Sequence, residues 1–277
     1  MKLKLIRQTG IHVILAAGGA LMLLPVIWMI ATSFKEPESI YAFPPEWLPH
    51  PFTWSNYVET LTRPGMAFLD FFRNSMTVTV LAMIGNIASS TVVAFAFARL
   101  RWRGRDALFV VLLTTMMLPQ HVTMIPVFVL FKYLGWIDTY KPLVVPAFFG
   151  APLYIFILRQ FMLTLPRSLD EAARLDGAGN FTLLTRIMLP LSKPALATVA
   201  VFAFRAHWND FMGPLIYLNS SEKFTLAIGL HMFHGQYGTE WGPMMAAATL
   251  TVLPMVILFL IAQRYFIQGM AMSGLKE

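Results

Sequence analysis

The stretch TLPRSLDEAARLDGAGNFTLLTRIMLPLSKP, residues 164–194, decides how the rest of the chain is organised. It is the longest polar interruption in the C-terminal half and lies between very apolar runs at 142–158 and 195–204. It carries helix signals of its own. Ser168-Leu169-Asp170-Glu171 has the spacing of a capping box: the serine hydroxyl would take a free N–H of the first turn, and the glutamate would reach back to the cap. Pro166 lies just upstream. Gly177 and Gly179 supply residues that tolerate positive φ at a helix C-terminus. Asn180 can cap a second short helix over 181–189, which Pro190 would stop. Ser192 and Pro194 then open the next long helix. A loop built as helix, turn and helix between apolar runs is expected to dock on something.

The composition sets the class. Of 277 residues, 57% are hydrophobic and 13% charged, which is not the balance of an ordinary soluble domain. Six apolar segments approach the ~20 residues that a helix needs to cross ~30 Å of hydrocarbon. Alternating strands of the barrel type are absent, so the expected fold is an all-α membrane bundle of six transmembrane helices. There is no cysteine, hence no disulfide, thiolate nucleophile or cysteine–metal site. The net charge of +7 is better read by position than as a sum, and membrane topology rather than nucleic-acid binding accounts for it.

Taken in order, a basic N-terminus precedes a first span over 11–32. That run is long for a cleavable signal and lacks a clean small-residue site, so it reads as uncleaved, with Pro25 kinking it. Residues 33–70 form an external loop rich in Pro, Trp and Tyr, at home near lipid headgroups. A five-helix core follows over 72–263, with spans near 72–98, 107–131, 142–162, 193–218 and 243–263. Pro119 and Pro126 fall in the third span, and small and hydroxyl residues in the second allow close packing. The whole is one transmembrane domain.

Counting cations gives the orientation. The N-terminus, the Arg99–Arg105 loop, residues 159–193 and the C-terminal tail together hold fourteen Lys and Arg, whereas the intervening loops hold six. The excess places both termini and the 164–194 segment in the cytoplasm.

Glu171-Ala172-Ala173, then Gly177, then Ile187-x-Leu189-Pro190 match at every fixed position the EAA loop, EAA-x3-G-x9-I-x-LP, of ABC importer permeases. Trp208-Asn209 with Pro214-Leu215 and a Gly269-Met270, Gly274 tail resemble the smaller permease subunit of maltose-type carbohydrate importers. The family often has Ser or Thr two residues after the loop glycine, where this chain has Gly179. The resemblance covers nearly the whole chain, most specifically 164–270, and implies the type I importer permease fold in a bacterial cytoplasmic (inner) membrane. It also implies that the EAA helix is a coupling helix seated in a groove of a separate ATPase, contacted by Glu171, Ala172, Ala173, Asp176 and Gly177, with Ile187, Leu189 and Pro190 completing the motif. The implied partners are a second, homologous permease in a heterodimer, two ABC ATPase subunits, an extracytoplasmic solute-binding protein and the lipid bilayer. No cofactor is expected on this chain; ATP and Mg would belong to the ATPase.

Other polar residues are weighed against simple structural roles. Glu171 either completes its capping box or pairs with the ATPase. Arg205 lies ~16 Å into its expected span, near the midplane, where a charge must face the bundle or a wet cavity. With Asn209 and Asp210 it either lines a hydrophilic path or locks helices. Gln120 and His121, beside Pro119, could line the same path. Asn86, with Ser89 and Ser90, either lines it or glues helices. His231 and His234 have a helical ligand spacing but no carboxylate or cysteine to complete a site.

No phosphate-binding Gly-x4-Gly-Lys-Ser/Thr loop occurs, so ATP must be hydrolysed by another chain. No catalytic set is evident. The expected function is the permease half of an ATP-driven importer for a sugar or oligosaccharide. A polyol or glycerol phosphate is the alternative solute. A stand-alone secondary transporter is the alternative class, which would need a buried ion-coupling carboxylate for which only Asp210 qualifies.

Overall fold

The computed structural model describes the backbone of residues 2–235 and 238–273, and the side chains of 8–119, 121–233 and 239–265. Apart from a two-residue ladder between β1 (His234–Gly235) and β2 (Gly238–Thr239), the described residues are helix and loop. They form two compact units, 1–69 with 229–253, and 70–228 with 254–277.

In the first unit, α1 (Lys2–Thr32) runs as one helix through Pro25. Its apolar side chains, Ile14, Leu15 and Met22 among them, point away from the chain. Residues 33–70 are more regular than their composition suggests. They hold α2 (Pro37–Ile40) and α3 (Ser55–Thr62), and Phe34 stacks on Phe52, meets Trp54 edge-on and packs at a tilt on Tyr57. Asn56 is buried and its amide donates to the carbonyls of Ser33 and Lys35. Thr60 donates to Pro243, and Arg63 pairs with Glu240. These bonds tie the loop to the start of α15 (Trp241–Ser273).

The second unit is built on α4 (Phe68–Arg99), whose small residues permit close approach. Thr79, Ala82, Ser90 and Ala94 are wholly buried. Gly85 accommodates the Phe148 ring, whose Cδ2 would lie 2.6 Å from an added Cβ. Lipid is as apolar as leucine, so such contacts stabilise through packing rather than water release. The main cluster joins α4 to α5 (Arg105–Thr114), α8 (Pro152–Thr164), α9 (Ser168–Leu175) and α12 (Lys193–Trp208). It is centred on Phe95, Phe97, Phe109, Leu158, Met162, Ala173 and Val199. The remaining helices are α6 (Gln120–Tyr133), α7 (Lys141–Val144), α10 (Asn180–Thr182), α11 (Leu189–Leu191), α13 (Met212–Tyr217) and α14 (Leu226–His231).

Among the described residues, four helices are long and apolar enough to cross a membrane, or up to six if each of two bent pairs, Arg105–Met117 with His121–Tyr133 and Asn180–Leu191 with Lys193–Trp208, is one span. Two expected spans are broken. The third bends by 99° between Met117 and His121. Leu118 is extended because the ring of Pro119 disfavours helical backbone before it. The fifth stops at Trp208 rather than near 218. Asn209 turns its side-chain amide back onto the Arg205 carbonyl, and Asp210 accepts the Gly213 N–H to start α13. Both residues thus offer the backbone a local alternative to helix. At ~1.5 Å per residue, the 16 residues of α12 reach ~24 Å, short of a full span.

Candidate functional site

The 164–194 segment departs from its expected caps. Helix α9 has Arg167, not Ser168, at its N-cap, and no side chain caps it. The Arg167 carbonyl accepts the N–H groups of Asp170 and Glu171, so Ser168 lies one position too far into the turn to cap and the box does not form. At the other end the geometry is a Schellman motif. The Ala178 N–H bonds the Ala173 carbonyl, the Gly177 N–H bonds Arg174, and Gly177 has φ +82°. Gly179, in contrast, has φ −73° and needs no glycine freedom. Asn180 is the first residue of α10 rather than its cap, and its Oδ1 accepts from Arg174 Nη2 at 3.2 Å. Residues Leu183–Met188 form a π-helix, and the chain passes through Pro190 to Leu191 before turning at Ser192. The wider π turn shifts the hydrogen-bond register just before the residue that has no N–H to donate.

Helix α9 has two faces. Ala173 faces inward, buried in the main cluster, and Ile187 and Leu189 pack partly against the same cluster. Glu171, Ala172, Asp176 and Gly177 are exposed, as is Pro190. Leu175 is 89% exposed and Phe181 79%, well above the other exposed large apolar residues of the segment, Leu169 and Leu191. The sequence reading passed over both, although bulky apolar residues inside a polar loop are themselves a signal of contact.

It also passed over the ion pair beneath this helix. Arg99, the last residue of α4, places Nη1 3.4 Å from Asp170 Oδ2 and donates from Nη2 to the Leu165 carbonyl at 3.0 Å. The two side chains are 2% and 13% exposed. Removing one partner of such a pair leaves a buried charge uncompensated, at a cost of ~3–5 kcal/mol. A cleft of about 540 Å3 opens beside it, lined by Arg101, Trp102, Arg167, Glu171, Arg174 and Asn180 among others.

The path candidates separate into three groups. Asn86 is buried on α4, and its Nδ2 lies 2.9 Å from His207 Nε2 on α12. His121 and Asp210 line one cleft of about 220 Å3 together with Thr123, Met124, Met212 and Tyr217. Residues at the two helix breaks therefore line the same hollow, a mainly apolar one in which His121, Thr123 and Asp210 are the polar points. Arg205 and Asn209 are exposed near the end of α12, where Arg205 lies three residues before the last helical position and, at ~1.5 Å per residue, ~18 Å from the start of the helix. The early helix end at Asn209 leaves that depth unchanged. The side chains of Gln120 and His234 lie outside the described residues, as does Gly274.

Residues 87–272 match the family model described as the binding-protein-dependent transport system inner membrane component. The chain is 34% identical over 271 residues to the trehalose/maltose transport system permease protein MalG of Thermococcus litoralis, covering 96% of this chain and 97% of that protein. It is 35% identical over 228 residues to the arabinooligosaccharides transport system permease protein AraQ of Halalkalibacterium halodurans, covering 82% and 81%. Its fold is similar to a chain of a bacterial ABC transporter involved in the import of the acidic polysaccharide alginate. There the TM-score is 0.82 at 23% identity, over 94% of this chain and 96% of that one.

Proposed function

The chain belongs to the family of binding-protein-dependent transport system inner membrane components, and from that premise we propose that it is one half of the translocation path of an ATP-driven importer for a di- or oligosaccharide. The family is one of transport components. The observation that carries the solute class is the match, along almost its full length, to a permease named for trehalose and maltose. The solute enters from an extracytoplasmic binding protein, passes between this chain and a homologous permease, and leaves to the cytoplasm. Both termini and the 164–194 segment face the cytoplasm, in keeping with the excess of Lys and Arg on that side.

Helix α9 is the coupling helix of this reading. Its outward surface of Glu171, Ala172 and Leu175 meets an ATPase, which holds ATP and Mg. Asp176 and Gly177 form the turn at the contact, and Phe181 extends it. Ala173, Ile187, Leu189 and Pro190 set the pose of the loop rather than touching the partner first. His121 and Asp210, with Asn209 and Arg205 near the breaks, offer donors and acceptors suited to sugar hydroxyls, and Asn86 supports them through His207.

Co-expression with a candidate partner permease, ATPase and binding protein, and affinity purification of this chain, test the reading. An ATPase should co-purify, and liposomes holding the assembly should take up a di- or oligosaccharide only with ATP inside and binding protein outside. Uptake by this chain alone, without ATP, would replace the reading with a secondary transporter.

A further inference from the structure

We propose that Arg99 and Asp170 are a positioning pair, the strut through which movement of α9 reaches α4; this rests on the reading of α9 as the coupling helix. The geometry points to a strut rather than a filler. Arg99 ends a helix of 32 residues that contributes Ala94, Phe95, Phe97 and Ala98 to the main cluster. Its guanidinium straddles the entry to α9. One nitrogen holds the Leu165 carbonyl where α8 stops, and another faces Asp170 in the first turn of α9. A planar fork of donors fixes direction as well as distance. The apolar inward contacts of α9, Ala173 in the main cluster and the π-helical turn Leu183–Met188 packed against it, resist separation but direct it less sharply than a charged fork does. The ion pair is what joins the first turn of α9 to the end of α4.

A second observation concerns the bonds left unmade. Arg99 Nε and Asp170 Oδ1 are both sealed from solvent and neither has a hydrogen-bond partner. Buried polar atoms are normally paired, and a carboxylate can take a guanidinium side-on through two parallel bonds. The present contact of 3.4 Å through one nitrogen leaves that arrangement unused. A movement of α9 that closed the gap between Nε and Oδ1 would complete it. The pair thus has two bonding states, and ATPase-driven movement of α9 selects between them.

The test uses the complete transporter in liposomes with its binding protein, measuring ATP hydrolysis, solute uptake and retention of the ATPase on an affinity column. Arg99→Gln and Asp170→Asn should retain the ATPase and keep basal hydrolysis within about twofold, while solute carried per ATP falls about tenfold. The half-saturating solute concentration should not move. Arg99→Lys should not rescue, because an ammonium is a point charge and cannot hold the Leu165 carbonyl and both carboxylate oxygens. Should the single variants fail to fold, Arg99→Met with Asp170→Leu removes both charges and decides the matter. It should fold and remain uncoupled. Restoration of normal transport per ATP in that double variant, or in either single one, would show that the pair only fills space. Failure of the wild-type chain to retain an ATPase would instead overturn the coupling-helix reading beneath it.

Discussion

Asn86 on α4 and His207 on α12, 121 positions apart in sequence, are joined at 2.9 Å between Nδ2 and Nε2. With the amide donating, the ring is neutral and carries its proton on Nδ1. The bond ties the two helices together close to the break at Asn209. Asn86→Ala would leave the ring acceptor without a donor in a buried site, and should destabilise the bundle by ~1–3 kcal/mol. Thermal unfolding in nanodiscs checks this. Adding His207→Ala to Asn86→Ala should cost less than the sum of the single changes, since contacting residues couple by ~0.5–3 kcal/mol.

Gly242 lies against Asn56, and a Cβ there would collide with the side-chain amide. The amide has no room to yield, because its nitrogen donates to two carbonyls, Ser33 at 3.0 Å and Lys35 at 2.8 Å. Gly242→Ala should therefore lower stability by ~1–3 kcal/mol, the range for overpacked sites. A change of similar size at exposed Gly65, where nothing lies within 4 Å, would owe its effect to backbone strain at φ +80° instead. Unfolding of the two variants in the presence and absence of Asn56→Ala separates the cases: the smaller side chain should relieve Gly242→Ala only.

Asp138 locks the loop after α13 to the loop before α7. Its carboxylate accepts from Lys223 at 2.8 Å, from the Ser220 hydroxyl at 2.6 Å, and from the N–H groups of Ser220 and Asn219. These bonds, led by that from Lys223, hold its carboxyl well below the usual carboxylate range. The sign follows from the depression. The stabilisation is fully present above the unfolded value of ~3.9 and is lost as pH falls from there through the folded one. Hydrogen exchange of the Asn219 and Ser220 amides should be unchanged between pH 7 and pH 5 once corrected for intrinsic rate. Protection should fall below about pH 4, where that loss begins. In Asp138→Asn the protection should already be low at pH 7.

Arg205 is exposed and three residues from the end of α12. Arg205→Ala should leave ATPase retention and folding unaltered, since exposed positions change stability by only ~0.5 kcal/mol. Uptake should fall severalfold. Uptake equal to wild type would remove Arg205 from the path and leave His121 and Asp210 as its polar lining.

Much of this arrangement is legible in the chain itself, and the exceptions have physical causes. Long apolar runs give α1, α4 and α15 with few alternatives, and the polar segment with its glycine gives α9 and its Schellman turn. The capping box failed by one residue, because a cap depends on which carbonyl accepts the first N–H groups, and here that is Arg167 rather than Ser168. The breaks at Leu118 and Asn209 are marked by a proline and by an Asn-Asp pair, yet such residues also occur inside intact membrane helices. The Arg99 contacts with Leu165 and Asp170 are non-local, 66 positions apart in the first case, and no periodicity in a single sequence encodes them. Arg99 was legible as a topology signal, which hid its structural use.

The central claim, that the outward face of α9 seats on an ATPase, is tested most directly by site-specific photo-crosslinking in the assembled transporter. A photoreactive residue at Ala172 or Leu175 should crosslink to the ATPase. One at Tyr41 or Trp47 of the 33–70 segment, both well exposed, should crosslink to the binding protein or to nothing. Crosslinks to the ATPase from Ala172 and Leu175 alone are the predicted result. Their absence from both positions in a transporter that hydrolyses ATP, or their appearance at Tyr41 or Trp47, would contradict the assignment of α9 and of the membrane orientation.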